Sequence, residues 1–365
     1  MNGDGEVGIG VSSARAGSVG PSPSGLSTAT APASDPPLTI LTVGIEKHYS
    51  YIARQIEMID ALNRGAQYRF LVVDNAALGT PRMVIDDARC EVVAGIDASP
   101  LPEEGRGSYH HAAALNMAIR RVKTRFALVI DPDLFVVYRD WISECLEHMH
   151  RRNLSFFGVP WHSRWYRKWR GFPCVHFLLI DLSKVSAGEI DFTPALVEDL
   201  AQDAGPTATW MKAHMPLFYN RMLIETRRDT GWRLHHRFAR RHAVELALPV
   251  VDLDAELAKP KHLTTERGRW FERRMPARWS FLPARGSYID SSDAPGFDNR
   301  PFRELGPEKF VWRGAPFAFH MRRNVRDRVF GRHDQSLEEA DLAAVLAEAA
   351  RAGPWLGWRL DPAVR

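Results

Sequence analysis

Two carboxylates separated by a single proline, Asp131-Pro132-Asp133, stand directly after an uninterrupted apolar run, Arg125-Phe-Ala-Leu-Val-Ile130. The pairing has the chemistry of a hard-cation site. Mg²⁺ or Mn²⁺ takes one or two protein carboxylates and completes its shell with substrate phosphates and water. Pro132 stiffens the turn, so both acids can be offered together. A second pair of the same form, Asp252-Leu-Asp254, also follows an apolar run. Spacing alone does not separate a metal-diphosphate site from a surface turn with capping aspartates, so the surrounding elements must decide.

Those elements alternate in type. Residues 38–43 read as a strand ending at Gly44, and residues 51–62 as a helix, with Ile52, Ile56, Ile59 and Leu62 at three- and four-residue steps. Residues 69–74 and 90–94 are predicted strands. A helix capped at Ser108 follows, with Ala112, Leu115, Ile119 and Val122 on its buried face. The run 125–130 is apolar without alternation, as in the centre of a parallel sheet covered on both faces. A helix over 141–151 and strands near 154–159 and 175–181 complete the legible part. A last helix opens with the capping box Ser336-Leu-Glu-Glu339 and is stopped by Gly353-Pro354. The fold class is therefore α/β, with a mostly parallel central sheet flanked by helices. Ligands of such sheets bind outside the carboxyl ends of the strands, where Asp131 and Asp133 stand.

Bulk composition agrees with a globular enzyme. The chain has 365 residues, 45% of them hydrophobic, enough for a large core without disulfides. Its 48 basic residues, mostly Arg, exceed the 44 acidic ones by a net charge of +4, too small an excess to imply nucleic-acid binding. Cys90, Cys145 and Cys174 form no C-x-x-C pair, which fits three free thiols in a reducing compartment. No apolar run is long enough for a membrane span. Residues 1–37, rich in Gly, Ser, Ala and Pro, read as a disordered segment without the basic start and apolar core of a secretory signal. A cytoplasmic location, at most at the inner face of a membrane, is expected.

Over residues 38–251 the order of these pieces resembles glycosyltransferase family 2, inverting enzymes of the Rossmann-like GT-A fold. The resemblance rests on the first strand, turn and helix; on a strand ending in Val72-Val-Asp74-Asn75; on the small-residue helix Gly107-Ser-Tyr-His-His-Ala-Ala-Ala-Leu-Asn116-Met-Ala; and on a strand ending in Asp131-Pro132-Asp133. It implies a nucleotide-sugar donor (UDP-, GDP- or dTDP-linked), a hydroxyl acceptor such as a glycan, glycolipid or small natural product, and Mn²⁺ or Mg²⁺. By the resemblance, Thr42, Gly44, Glu46 and Asp74 hold the nucleotide, Asn116 lines the same pocket, and Asp131 and Asp133 meet ribose, metal and diphosphate. The second acidic pair, beyond these elements, becomes incidental.

Family members carry an acidic pair and a helix of the form E-D-x-x-L-x-x-R about a hundred residues later. Here the match is Glu225-Thr-Arg-Arg-Asp229-Thr-Gly-Trp-Arg233-Leu, in which Arg228 replaces the first acid. Asp229 is the expected general base, taking the proton of the attacking hydroxyl; as a mere helix N-cap it would do no chemistry. A further metal ligand is expected from His320, in Phe317-Ala-Phe-His320-Met-Arg-Arg. The aromatic and basic stretch 160–170 reads as an acceptor-side loop through Trp161, His162 and Trp165. A second such cluster, 269–279, reads as packed Trp with solvated Arg, peripheral membrane contact being its alternative.

The expected organisation is a GT-A domain over 38–330, with a nucleotide-sugar half over 38–153 and an acceptor half over 154–330, then a C-terminal helix and tail over 331–365. The rival activity is a sugar-1-phosphate nucleotidyltransferase, whose first strand should be followed by a Gly-rich, Arg-containing loop; Gly44-Ile-Glu-Lys-His48 is not one. A non-catalytic sugar-nucleotide-binding protein is the other alternative.

Overall fold

The computed structural model describes residues 36–77, 79–101, 106–162, 168–195, 209–210, 213–216, 229–251, 265–267, 270, 286–294 and 308–321. The N-terminal segment through residue 35, the second acidic pair, Trp165, Glu225, the expected C-terminal helix and all of the second aromatic cluster, 269–279, except Trp270 lie outside them.

The first described element is β1 (Leu38–Gly44), buried along its whole length, and a 3-10 turn leads into α1 (Tyr49–Leu62). The four apolar positions spaced for a helix face are all buried in α1. β2 (Tyr68–Asp74) and β3 (Cys90–Ala94) follow, then α2 (Arg106–Ile119) and β4 (Phe126–Ile130). α2 begins two residues before the expected cap, which puts Ser108 in its first turn. Its buried face is largely alanine (Ala112, Ala114, Ala118), and small side chains let a helix lie close on a sheet. After β4 come β5 (Leu134–Val136), α3 (Trp141–Arg151), β6 (Phe156–Gly158) and β7 (Phe177–Asp181). The remaining described elements are α4 (Trp232–Phe238), β8 (Val244–Leu246), β9 (Leu248–Val251), β10 (Ile289–Asp290), β11 (Glu308–Trp312) and β12 (Ala315–His320).

Among the described residues, seven strands form the central sheet in the order β3-β2-β1-β4-β7-β6-β8. β3, β2, β1 and β4 are parallel, β7 runs against β4 and β6, and β8 is parallel to β6. The sheet is thus mostly parallel, as the α/β alternation predicts, with β7 reversed inside it. A second sheet of described strands, β10-β9-β11-β12-β5, has no counterpart among the strands predicted from sequence. β4 is buried at every position, so its apolar run reflects cover on both faces. An aromatic cluster of Phe157, Phe177, Trp312 and Phe317 joins the two sheets, with ring centroids 5.0–6.2 Å apart. Among the described residues no helix is long and apolar enough to cross a membrane.

Candidate active site and metal centre

The acidic turn is where the chain leaves the central sheet for the second one. β4 ends at Ile130 and β5 begins at Leu134, so Asp131, Pro132 and Asp133 are the whole connection. The Leu134 N–H donates to the Asp131 carbonyl at 3.1 Å. Gln55, buried on α1, donates its side-chain amide to the carbonyls of both Asp131 and Leu134, at 2.6 Å each. One side chain therefore clamps both ends of the turn.

Strand register brings two histidines to it. β4 and β7 are antiparallel with Ile130 opposite Phe177, and the ladder continues one step further, the Asp131 N–H donating to the His176 carbonyl at 3.1 Å. On the other side β12 pairs with β5, His320 opposite Leu134, and the Met321 N–H donates to the Asp133 carbonyl at 2.7 Å. The His320 Nε2 lies 3.3 Å from Asp133 Oδ1, and its Nδ1 lies 2.9 Å from Glu308 Oε2. His176 Nε2 is 3.6 Å from Asp131 Oδ2, and the two imidazoles stack with centroids 3.9 Å apart. One ligand atom from each of Asp131, His176 and His320 falls within 4.8 Å of the others, a spacing at which one cation can bind all three.

Burial and mutual repulsion make this cluster electrostatically uneven. Burial, then the neighbouring charge of Asp133, pushes Asp131 up to about 7. Burial also raises Asp133, but the positive charge and hydrogen bond of His320 outweigh it and hold that carboxyl down at about 2. Burial works against a charged His320, yet Asp133 and Glu308 together raise it well above the ordinary imidazole range. His176, lowered to about 3 by burial and by the positive charge beside it, stays neutral. His111, whose Nε2 is 3.8 Å from Asp131 Oδ1, is lowered to about 4, chiefly by burial.

The turn opens into a cleft of about 640 Å³. Gly44, Ile45 and Asn75 line it from the ends of β1 and β2, Ser108 and His111 from the start of α2, and Trp161, Lys168 and Asp229 from later segments. Asp229 accepts from the Thr230 N–H at 2.9 Å and from the Ser108 hydroxyl at 3.2 Å, and it is paired with the Lys168 ammonium. It is not the cap of α4. The cap position is Gly231, held at φ 88°, in the left-handed region that suits glycine, and this bend leaves the Asp229 side chain in the cleft. The Lys168 ammonium also sits 5.2 Å from the Trp161 ring centroid, and that ring packs edge-on against His176 at 4.5 Å.

Of the residues singled out from sequence, Gly44, Asp131, Asp133, Trp161, Asp229 and His320 line this cleft. Others lie outside the lining. Thr42 is fully buried in β1, and Glu46 is exposed on the 3-10 turn outside the lining. Asp74 accepts from the Tyr49 hydroxyl at 2.8 and 2.9 Å, and from the N–H groups of Ala76 and Met83 at 3.0 and 2.9 Å. Its carboxylate closes the loop after β2, and burial with that bond pushes the Tyr49 phenol up to about 12. Asn116 bonds Asp191, Thr193 and the Phe192 N–H, tying α2 to the segment after β7. His162 is buried against the Val250 carbonyl at 2.8 Å, away from the cleft. Sequence reasoning did not single out Gln55, His111, Lys168, His176 or Glu308 as site residues. The aromatic flanks of Lys168 were a usable signal; the others depend on strand register or helix docking.

No family model matches the chain, and no curated protein matches it in sequence. Several solved structures resemble it loosely. A mannosyltransferase from Pyrobaculum calidifontis, solved with GDP-Man and Mn²⁺, is 14% identical over 44% of this chain and 48% of its own, with a TM-score of 0.30. The chain thus spans about half of that protein's length. The galactosyltransferase LgtC, solved with donor and acceptor sugar analogues, is 12% identical over 67% of this chain and 84% of its own, with a TM-score of 0.35. TarS of S. aureus, solved with UDP-GlcNAc, is 12% identical over 45% of this chain and 51% of its own, at 0.28. Likeness of this degree carries over neither donor, acceptor nor mechanism.

Proposed function

We propose that the protein is a metal-dependent glycosyltransferase of GT-A type that transfers a sugar, with inversion, from a nucleotide-sugar to a hydroxyl acceptor. The observation that carries this reading is the cluster of Asp131, Asp133, His176 and His320 at the carboxyl end of β4, facing Asp229 within one cleft. The residues suit a divalent cation. Asp131 Oδ1 is a buried polar atom without a hydrogen-bond partner, a costly state unless something else meets it, and His176 turns its Nε2 toward the same carboxylate at 3.6 Å. A cation held there would offset the repulsion that raises Asp131 and would neutralise the diphosphate as it departs.

The chain's own groups would do the rest. Gly44, Ile45 and Asn75 border the side of the cleft suited to the nucleoside, and Asp74 shapes that border by fixing the loop beneath it. Asp229 is the base toward the acceptor hydroxyl, aimed by Ser108, Thr230 and Lys168. Trp161 and Lys168 form the acceptor wall, an aromatic face beside a cation being a good match for a sugar or an anionic acceptor. In this reading residues 38–153 supply the donor half and the later segments the acceptor half. Isothermal titration of UDP, GDP and dTDP with Mn²⁺ and then with EDTA tests it. At least one nucleotide should bind in a cation-dependent manner, and its sugar conjugate should turn over; equal affinity in both conditions would remove the metal from the mechanism.

A further inference from the structure

We infer that His176 is itself a metal ligand, and that it makes the centre select a first-row transition ion over Mg²⁺. The inference rests on the proposed metal-dependent transfer and refines what the site holds. An acidic pair alone offers only oxygen, a donor set that Mg²⁺ and Mn²⁺ share. The fold adds two imidazoles. His320 arrives from β12, and His176 is delivered by the reversed strand β7, one residue beyond the Ile130–Phe177 pair. Imidazole nitrogen favours transition ions along the Irving–Williams order and is a poor donor for Mg²⁺, which seeks near-octahedral oxygen.

Two features set His176 apart from a packed core histidine such as His162, whose Nε2 meets the Val250 carbonyl at 2.8 Å. The His176 Nε2 faces Asp131 at 3.6 Å, beyond a hydrogen bond yet within the span of a shared cation. Its ring lies flat on that of His320 at 3.9 Å, with Trp161 packed edge-on behind it, so a metal would meet an imidazole already fixed in orientation. His320 in turn is oriented by Glu308, buried at the start of β11, the carboxylate–histidine arrangement that supports metal-bound imidazoles.

The test is the coordination of Mn²⁺ by the full-length protein, read by pulsed electron paramagnetic resonance, which counts bound nitrogens. The wild type should show couplings from two imidazole nitrogens, and Mg²⁺ should displace the ion only in large excess, roughly 100-fold or more. His176→Gln, a variant of similar length, should retain one nitrogen, weaken Mn²⁺ binding at least ~10-fold and leave Mg²⁺ binding nearly unchanged. The nitrogen count of the wild type needs no variant, so a misfolded His176→Gln leaves the question answerable. One nitrogen in the wild type, or equal competition by Mg²⁺, would overturn the role of His176 while leaving a metal-dependent transferase standing. Failure of the wild type to bind any of these ions would overturn both.

Discussion

Asp229→Asn separates chemistry from architecture most sharply. The amide keeps one oxygen for the Thr230 N–H and the Ser108 hydroxyl, but it turns an NH₂ group or a neutral oxygen toward the Lys168 ammonium in place of a charged one. Both partners of that ion pair are mostly buried, with 16% and 20% of their side-chain surface exposed, so breaking it leaves a largely desolvated ammonium without its counter-charge. We expect a stability loss of about 1–3 kcal/mol, seen as a fall in Tm of several degrees. Turnover should respond on another scale. A positioned general base contributes about 10²–10⁴-fold, so kcat should fall by that factor while donor affinity stays within about threefold of wild type. Released nucleoside diphosphate gives kcat, isothermal titration gives donor affinity, and calorimetry gives Tm. Lys168→Met is the companion: it removes the same ion pair but leaves the carboxylate, so it should match the Tm shift, raise the acceptor KM through the altered acceptor wall, and lower kcat by no more than about 10-fold. An Asp229→Asn enzyme that turns over normally would refute the base assignment and send the search to another acid near the cleft, with the metal centre untouched.

Three further outcomes follow from the same geometry. Asp133→Asn should weaken donor binding and turnover together, because this carboxylate acts on the cation and not on the acceptor; a loss confined to kcat, measured by the same titrations, would contradict it. Gln55→Leu removes the clamp on the acidic turn, leaving two carbonyls without that donor, and should cost about 1–3 kcal/mol by denaturant unfolding and weaken Mn²⁺ binding roughly 10-fold or more; unchanged metal affinity would show the turn to be self-supporting. Metal binding should expel protons. With His320 raised well above the ordinary range and Asp131 near 7, Mn²⁺ must displace protons from both groups at pH 6 and fewer once Asp131 has ionised above pH 7, so affinity should climb with pH and more steeply below 7. Calorimetry in buffers of different ionisation enthalpy reads the proton release, and a pH-independent affinity would contradict the charge pattern of the cluster.

The legible part of this molecule is the part whose burial is decided by neighbours close in sequence. β4 announces itself because a strand covered on both faces must be apolar at every position, and α1 because its core face recurs every three or four residues. Asp131 and Asp133 are visible for the same reason, standing where such a strand stops. His176 was not, since nothing in Pro-Cys-Val-His-Phe marks a ligand; it becomes one through the reversed direction of β7 and a register that sets it opposite Asp131. Gln55 lies on the buried face of an amphipathic helix, where a polar side chain looks like an interruption until the turn it clamps is known. Other polar residues are spent inside the fold. Asp74, Asn116 and His162 have the residue types of a binding site, but their polar atoms are consumed by backbone and side-chain partners that sequence distance hides, 76 residues away for Asn116 and Phe192 and 88 for His162 and Val250. A polar residue's type says what it can bind, and only the register of the strands around it decides whether that capacity is spent inside the fold or left facing the cleft. By that criterion Asp131 and His176 face the cleft: one keeps a buried Oδ1 without a hydrogen bond, and the other turns its Nε2 toward that carboxylate from beyond hydrogen-bond reach.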